Sequence, residues 1–507
     1  MAKLFRFSIL HWTGVCVAST SSRFTLAFSD VIAAFHLLEL RRVVTIATIV
    51  ATPVAALAQG TTAPPTDRYK YPLPTYEEDW RALQGGDRTD IWDPVKFVKL
   101  SADGTTSLSF GGEARVTYER FGNQNFGLTP PDPDGYFLQR YLLHSDLRAG
   151  SRVRVWTEFN SGLENGRFGG PRPVIDEDKL DLHQAFVDVA VAATSPSAAV
   201  LRVGRQEIAL GAGRMYALRE GPNVPLSFDG VRAIAHAGPW RLDGWAARPV
   251  DNTSGVFDDQ SHHSFDVWGV YGSRVIAPSR QTVGLEVYYL GLARDAAHFD
   301  QGTANETRHT FGARVWHQGP WAYDAEAMFQ VGRFGSGDIR AWRSVIEGSH
   351  LVADAVWLPR LGLVLDVASG DKNPADPNLQ TFNALFQSGT YSGRAQLLGP
   401  SNSIRFEPSV TFGPARHMLV SAGWGFYWRQ SAYDALYSIS GQVIVPSNGV
   451  TDRYEGSRPT MQIDWQLTRH LSAHVNYIYA FNGRFEEQSV HATPTMSYVS
   501  PWVTYRF

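Results

Sequence analysis

Arginine carries nearly all the positive charge of this chain: of its 46 basic residues only 6 are lysine. A guanidinium offers a planar fork that grips a carboxylate with two hydrogen bonds, where an ammonium is a point charge. Arg148, Arg152 and Arg154 lie close together, and Arg115 and Arg140 precede them in segments of similar pattern. Such residues suit the pairing or passage of carboxylates. Other chemistry is harder to assemble. His144-Ser145-Asp146 has the residue types of a nucleophilic triad, but successive strand residues point to opposite faces, so Ser145 turns away from the other two. The 15 histidines do not space into a Ser/His/acid constellation, and no GxxxxGK[ST], HExxH or CxxC pattern occurs. His262 and His263 in DDQSHH, and Asp371 and Asp376 in GDKNPADPN, offer metal ligands. Neither stretch has EF-hand spacing, and a solvated loop and an Asx-rich turn account for them more readily. The expectation is a protein without catalysis, cofactor or metal.

The elements that carry these arginines alternate with period two. In SLSFGGEARVTYE, Leu108, Phe110, Ala114, Val116 and Tyr118 share one face, and Glu113, Arg115, Thr117 and Glu119 the other. YFLQRYLLHSDLR sets Tyr141, Leu143 and Leu147 against Arg140, His144, Asp146 and Arg148, and HLSAHVNYIYAF repeats the pattern near the end. About 18 such segments occur, starting near residues 107, 136, 152, 180, 199, 228, 239, 263, 281, 307, 321, 341, 360, 403, 416, 458, 471 and 496. An even number of ~10-residue strands, apolar outward and polar inward, predicts an all-β transmembrane antiparallel β-barrel. In lipid every backbone group needs a partner within the protein, so the sheet must close. Short links near 149–151, 236–241 and 278–280 predict periplasmic turns. Longer polar stretches near 161–179, 249–262, 370–402 and 430–457 predict extracellular loops. Trp240, Trp321, Trp424, Trp428 and Trp465 suit interfacial girdles. The alternation runs through YVSPWVTYRF, so Phe507 is expected in the strand that closes on the first.

Residues 41–60, RRVVTIATIVATPVAALAQG, combine a positive n-region, an apolar core and a small-x-small site ending at Ala58. That is the pattern of a secretory signal. The expected organisation is an upstream segment plus signal over 1–58, a periplasmic lead or plug rich in proline and charge over 59–104, and the barrel over 105–507. Cys16 falls in the removed part, which excludes a disulfide or thiolate metal site. The remainder carries 41 basic against 47 acidic residues, a net of −6, without the basic footprint of a nucleic-acid binder.

Four segments, FGGEARVTYE, LRVGRQE, LREGPNVPLSFDGVRA and SGDKNPADPNLQTFNALFQSGTYSG, occur in that order. They resemble the alginate-export family of bacterial outer-membrane proteins, over roughly residues 90–507. The resemblance implies an 18-stranded monomeric barrel through which an anionic uronate polysaccharide crosses passively along an arginine-lined pore. A terminal aromatic strand resembles the signal read by the barrel-assembly machinery. Arg115, Arg140, Arg205, Arg219 and Arg232 stand in or beside the matching segments. Two other readings stay open: an anion-preferring uptake porin for small acids or oligosaccharides, and a barrel enzyme or adhesin working through its loops.

Alternation turns Arg115, Arg140, Arg148, Arg152, Arg154, Arg232 and Arg405 inward, among 13 arginines. It also turns 13 carboxylates inward, Glu113, Asp146, Asp243 and Asp266 among them. Net lumen charge therefore leaves selectivity open, and a wall-bracing ion pair explains each arginine as well as an anion site does. The group of Arg148, Arg152 and Arg154 beside Arg140 and Arg115 is the expected positive constriction, since rings of arginine select anions. Arg205 poses a register problem. It shares a face with Leu201 and Val203, and charge facing lipid costs about 2–4 kcal/mol at the bilayer midplane. A bulge at Gly204 that flips the register is the expected escape; a position beyond the apolar band is the other.

Overall fold

Alternation of this length produces the sheet it predicts. A computed structural model describes residues 71–507 apart from 87, 130–131, 133, 195–196 and 277–281. The signal segment, Cys16 and the turn at 278–280 lie outside the described residues. Eighteen long strands form the wall. They are β1 (Thr106–Gly122), β2 (Tyr136–Ala149), β3 (Val153–Asn165), β4 (Asp178–Thr194), β5 (Ser197–Gln206) and β6 (Phe228–Ala237). Next come β7 (Trp240–Asp251), β8 (Phe265–Val275), β9 (Thr282–Phe299), β10 (Gly302–Gln318), β11 (Trp321–Phe334) and β12 (Gly337–Leu351). The last are β13 (Arg360–Ala368), β14 (Ser403–Ala415), β15 (Met418–Arg429), β16 (Tyr454–Gln466), β17 (Leu471–Asn482) and β18 (Thr495–Arg506). Each begins within five residues of its expected start.

Every strand pairs antiparallel with the next, and β1 pairs with both β2 and β18, so Ala114 stands between Tyr141 and Tyr505. The ring has no edge, which satisfies the backbone without water. Outward residues such as Val116, Tyr141, Val270 and Phe329 are exposed, while Arg115, Arg140, His144 and Glu158 are buried inside. Trp321 and Trp465 are exposed at the short-turn end, and Trp424 lies nearer the long-loop end. Among the described residues no helix is long and apolar enough to cross a membrane. The strands do the crossing.

The lumen is filled in a way that alternation alone does not foretell. On β7 to β12 the interior face carries an apolar band among its ion pairs: Trp245, Val267, Tyr271, Leu290, Met328 and Val345 are buried. Two long loops, 207–227 and 369–402, fold inward over them and contribute Ile208, Met215, Tyr216, Leu226 and Phe382 to one cluster. Inward positions there act as an ordinary core, because protein rather than water covers them. The loops are stitched together by their backbones, Ala217 N–H donating to Phe386 O at 2.9 Å and Phe386 N–H to Met215 O at 2.9 Å. Arg214 anchors them to the far wall through Asp324 and Glu326, each at 2.8 Å, and through Glu347.

Three expectations need correction. The ladder of β5 runs through Gly204 without a flip, with Val203, Gly204 and Arg205 opposite Val187, Phe186 and Ala185. Arg205 stays on the outer face at the loop end of its strand, fork-bound to Asp229 at 2.9 and 3.1 Å. The charge is thus neutralised at the mouth instead of being turned inward. Gly204, at φ +129°, is needed because a Cβ would run into the Ala185 carbonyl. Arg152 lies in the turn before β3 and is exposed, and Asp266 is exposed at the start of β8, paired with Arg248 at 2.7 Å. Arg152 sits in a turn, where alternation fixes no face, and Asp266 shares the outward face of β8 with Trp268 and Val270.

Candidate pore-lining site

One charged stretch of the interior is formed by β1, β2, β3 and β18. At mid-height Arg140 donates two hydrogen bonds to Glu113, at 2.9 and 2.6 Å, and one to Glu220 at 3.0 Å. Arg506 closes on the same Glu113 at 2.9 Å. Arg115 behaves differently. Its guanidinium donates to the backbone carbonyls of Glu220 and Pro222, each at 2.6 Å, and its Nε has no hydrogen-bond partner. Among the described residues no carboxylate forms an ion pair with it, although it is 3% exposed. Arg394, from loop 369–402, is its counterpart. It lies 3.9 Å over the Trp502 ring and donates to Gly221 O at 3.3 Å, again with no ion pair among the described residues. Arg140 and Arg394 are the like charges that face Arg115. Burial pushes the Glu220 carboxyl up, and the charges of Arg140, Arg506 and Arg115 together outweigh it, holding the carboxyl below its usual range.

Toward the short-turn end the arginines are paired. Asp146 receives Arg148 at 2.9 Å and Arg154 at 2.6 Å, Arg202 holds Asp188 at 2.7 Å, and Arg232 and Arg241 share Asp243 at 2.6 and 2.9 Å. Residues 71–97 fold into this basic vestibule from within. Tyr76 packs edge-on against Phe186 at 5.7 Å and lies under the Arg202 guanidinium at 4.3 Å. Its carbonyl accepts Arg154 at 2.7 Å, the Glu78 carbonyl accepts Arg148 at 3.2 Å, and Thr75 Oγ1 donates to Glu158 at 2.7 Å. The Glu78 side chain meets Lys96 at 3.3 Å and His144 at 3.5 Å. Burial raises the Glu78 carboxyl, but the hydrogen bond and charge of His144, with Lys96, bring it below its usual range. A stretch reading TYEED thus occupies the lumen at the short-turn end.

The proposed constriction is therefore divided by the structure. Arg115 and Arg140 converge with loop 207–227. Arg148 and Arg154 converge on Asp146 and the inserted segment, apart from the exposed Arg152. Arg232 and Arg405 are inward but paired, the latter with Glu407 at 2.7 Å. Arg219 sits in the inserted loop and reaches the Val174 carbonyl at 3.4 Å. Arg394 and Glu220 were missed by alternation, since both belong to loops with no period. Glu220 lies within LREGPNVPLSFDGVRA and Arg394 within the run SGTYSGRAQ (388–396), and those stretches were their signals in the sequence.

Comparison with known proteins agrees with this architecture. Solved structures of similar fold include a BenF-like porin from Pseudomonas fluorescens Pf-5, with TM-score 0.54 and 10% identity, covering 79% of this chain and 98% of that one. Pseudomonas aeruginosa OpdK with vanillate gives 0.52 and 12%, with 79% and 98% coverage. Pseudomonas aeruginosa OccK2 (OpdF) in complex with glucuronate gives 0.50 and 13%, with 79% and 98% coverage. At these identities the likeness shows the fold alone. No curated protein matches the chain. Residues 106–499 match the family described as Alginate export, from within β1 to within β18. A closed 18-stranded wall, a lumen narrowed by inserted loops and a family match across nearly the whole barrel lead to one assignment: the chain belongs to the alginate-export family of bacterial outer-membrane β-barrel channels.

Proposed function

We propose that this outer-membrane channel passes an anionic saccharide of the uronate class, and that Arg115 and Arg394 supply the selecting charge. What supports the reading is that these two guanidiniums are buried beside the inserted loop 207–227 without a carboxylate ion pair, whereas most inward arginines have one. Among the described residues Arg429 and Arg458, at the long-loop ends of β15 and β16, also lack one. A paired arginine braces the barrel and offers an anion little. An unpaired one in a narrow, low-dielectric passage attracts a carboxylate strongly, and outer-surface charge is screened beyond about 10 Å at 0.1 M salt. Arg219 stands on the outer approach, and Trp502 gives a flat ring beside Arg394. Glucuronate is the ligand of the OccK2 structure, a carboxylate sugar of the same class. Export of the precursor through cleavage after Ala58, insertion by the barrel-assembly machinery and function as a monomer without catalysis belong to the same proposal.

The test is the reversal potential of the purified channel in a KCl gradient across a planar bilayer. Wild type should favour chloride, and uronate oligomers should reduce the current more than neutral oligosaccharides of equal size. Arg394→Gln should weaken both effects without unfolding the barrel, because Arg394 is held by one long hydrogen bond. A cation-selective wild type indifferent to uronates would refute the proposal. A channel that passes single uronates and excludes oligomers would instead favour an uptake porin, a reading that the protein-filled lumen also fits.

A further inference from the structure

At the long-loop end, β4 projects past the last residue of β5, and loop 252–264 folds into the gap. Leu180 bridges Val256 in parallel, and Phe257 N–H donates to Leu180 O at 3.0 Å. This carries two residues of the DDQSHH stretch onto Asp181. The Asp258 and Asp259 amides donate to Asp181 Oδ2 at 2.8 and 3.2 Å. Carboxylate oxygens of Asp181, Asp258 and Asp259 then lie within 4.8 Å of one another. Three like charges this close need a countercharge. The nearest cation, Arg205, is committed to Asp229 and reaches Asp181 only at 3.9 Å.

A second observation lies behind the cluster. Asn160, opposite Asp181 in the ladder, and Asp178 are each 1% exposed. Asn160 Nδ2 donates to Asp178 Oδ2 at 3.1 Å, but the Oδ1 atoms of both residues accept nothing among the described residues. Asp178 lies three positions before Asp181 on β4 and is held by Asn160, the ladder partner of Asp181, so Asp178 and Asn160 back the acidic cluster. Buried oxygens without donors call for an ion or water.

We propose that this rim is a divalent-cation site, preferring calcium, formed by Asp181, Asp258 and Asp259 with Asp178 and Asn160 behind them. Every donor is a hard oxygen, and they come from two strands and a loop. That suits the six to eight flexible oxygen ligands of Ca²⁺ better than the octahedron of Mg²⁺. The absence of histidine or cysteine from the cluster disfavours zinc. Bound, the ion would clamp loop 252–264 to β4. The neighbouring His262 lies 3.9 Å from Asp251 instead.

The test uses the full barrel, refolded in lipid-free detergent, stripped with EDTA and titrated with CaCl₂ or MgCl₂ by calorimetry. One saturable Ca²⁺ per chain is expected, with Mg²⁺ at least tenfold weaker and loop 252–264 becoming more resistant to protease. Asp181 also holds loop amides, so Asp258→Asn and Asp178→Asn are the informative variants, each weakening Ca²⁺ at least tenfold while the barrel keeps its heat-modifiable gel mobility. No saturable Ca²⁺ binding by wild type, or wild-type affinity in both variants, would overturn the assignment. Ion selectivity of the pore should be unaffected by either variant.

Discussion

Replacing Tyr76 by alanine should release part of residues 71–97 from the vestibule. Tyr76 is 6% exposed, and its ring contacts Phe186 and the Arg202 guanidinium. Truncating a buried aromatic to alanine costs about 3–5 kcal/mol, and each 1.4 kcal/mol is roughly a factor of ten in an equilibrium. The ratio of docked to undocked segment should therefore fall by about 10²–10⁴. Glu78 with His144, Trp92 on Phe507 and Asp90 with His470 still hold the rest of the segment, so the release is centred on residues 74–79, where hydrogen bonds of roughly 0.5–3 kcal/mol each remain. Two readouts follow in the detergent-refolded protein: faster proteolysis within 71–97, and a higher or noisier open-channel conductance in planar bilayers. Tyr76→Phe keeps the ring and should behave as wild type. If Tyr76→Ala left both conductance and protease resistance unchanged, the segment would not be a plug held by that ring.

Acidification should loosen the same segment. The Glu78 carboxyl lies below its ordinary value of 4.5, so its contribution is present above that pH and lost as pH falls through the lowered value; protease sensitivity of 71–97 should rise below about pH 4.5, and Glu78→Gln should flatten that dependence. Arg214→Met leaves Glu326 and Glu347 without their buried cation, Arg314 still holding Asp324, a loss of roughly 3–5 kcal/mol, and should free loops 207–227 and 369–402 to proteolysis while the wall survives. Phe507→Asp should lower the yield of heat-modifiable barrel in outer membranes, since the ring stacks on Trp92 at 4.2 Å and the backbone exchanges hydrogen bonds of 3.1 and 3.0 Å with Gly112; normal folded levels would contradict this.

The wall was readable because each strand repeats one physical requirement, lipid on one side and polar partners on the other, over nine or more residues. Leu108 to Tyr118 and Arg140 to Arg148 each carry that repeat through mid-strand. It fails at ends, as Arg152 demonstrates, because a turn residue has no obligatory face, whereas Asp266 lies on the outward face that Val270 marks. It also fails at Arg205, where a salt bridge with Asp229 solved a problem that a change of register was expected to solve. The selecting arginines were only half legible. Arg115 could be placed inside, but its partners are carbonyls 105 and 107 positions away, and Arg394 belongs to a loop whose inward course depends on burying Tyr216 and Phe382 against a distant wall. Pairing between such separated residues leaves no local pattern to read.

The meeting of β1 with β18 also governs how the molecule comes into being. Arg506 and Glu113 join across 393 positions of sequence, so the seam is the most non-local contact in the wall, and such contacts are slow to form. Until it forms, β1 offers one flank of a 17-residue strand with nothing beside it, a template for pairing with a neighbouring chain. A nascent barrel is thus most hazardous to itself just before completion. Assembly should be escorted at that seam rather than at any hairpin, and variants at the β1–β18 boundary should aggregate before insertion while leaving little trace on the stability of barrels that have already closed.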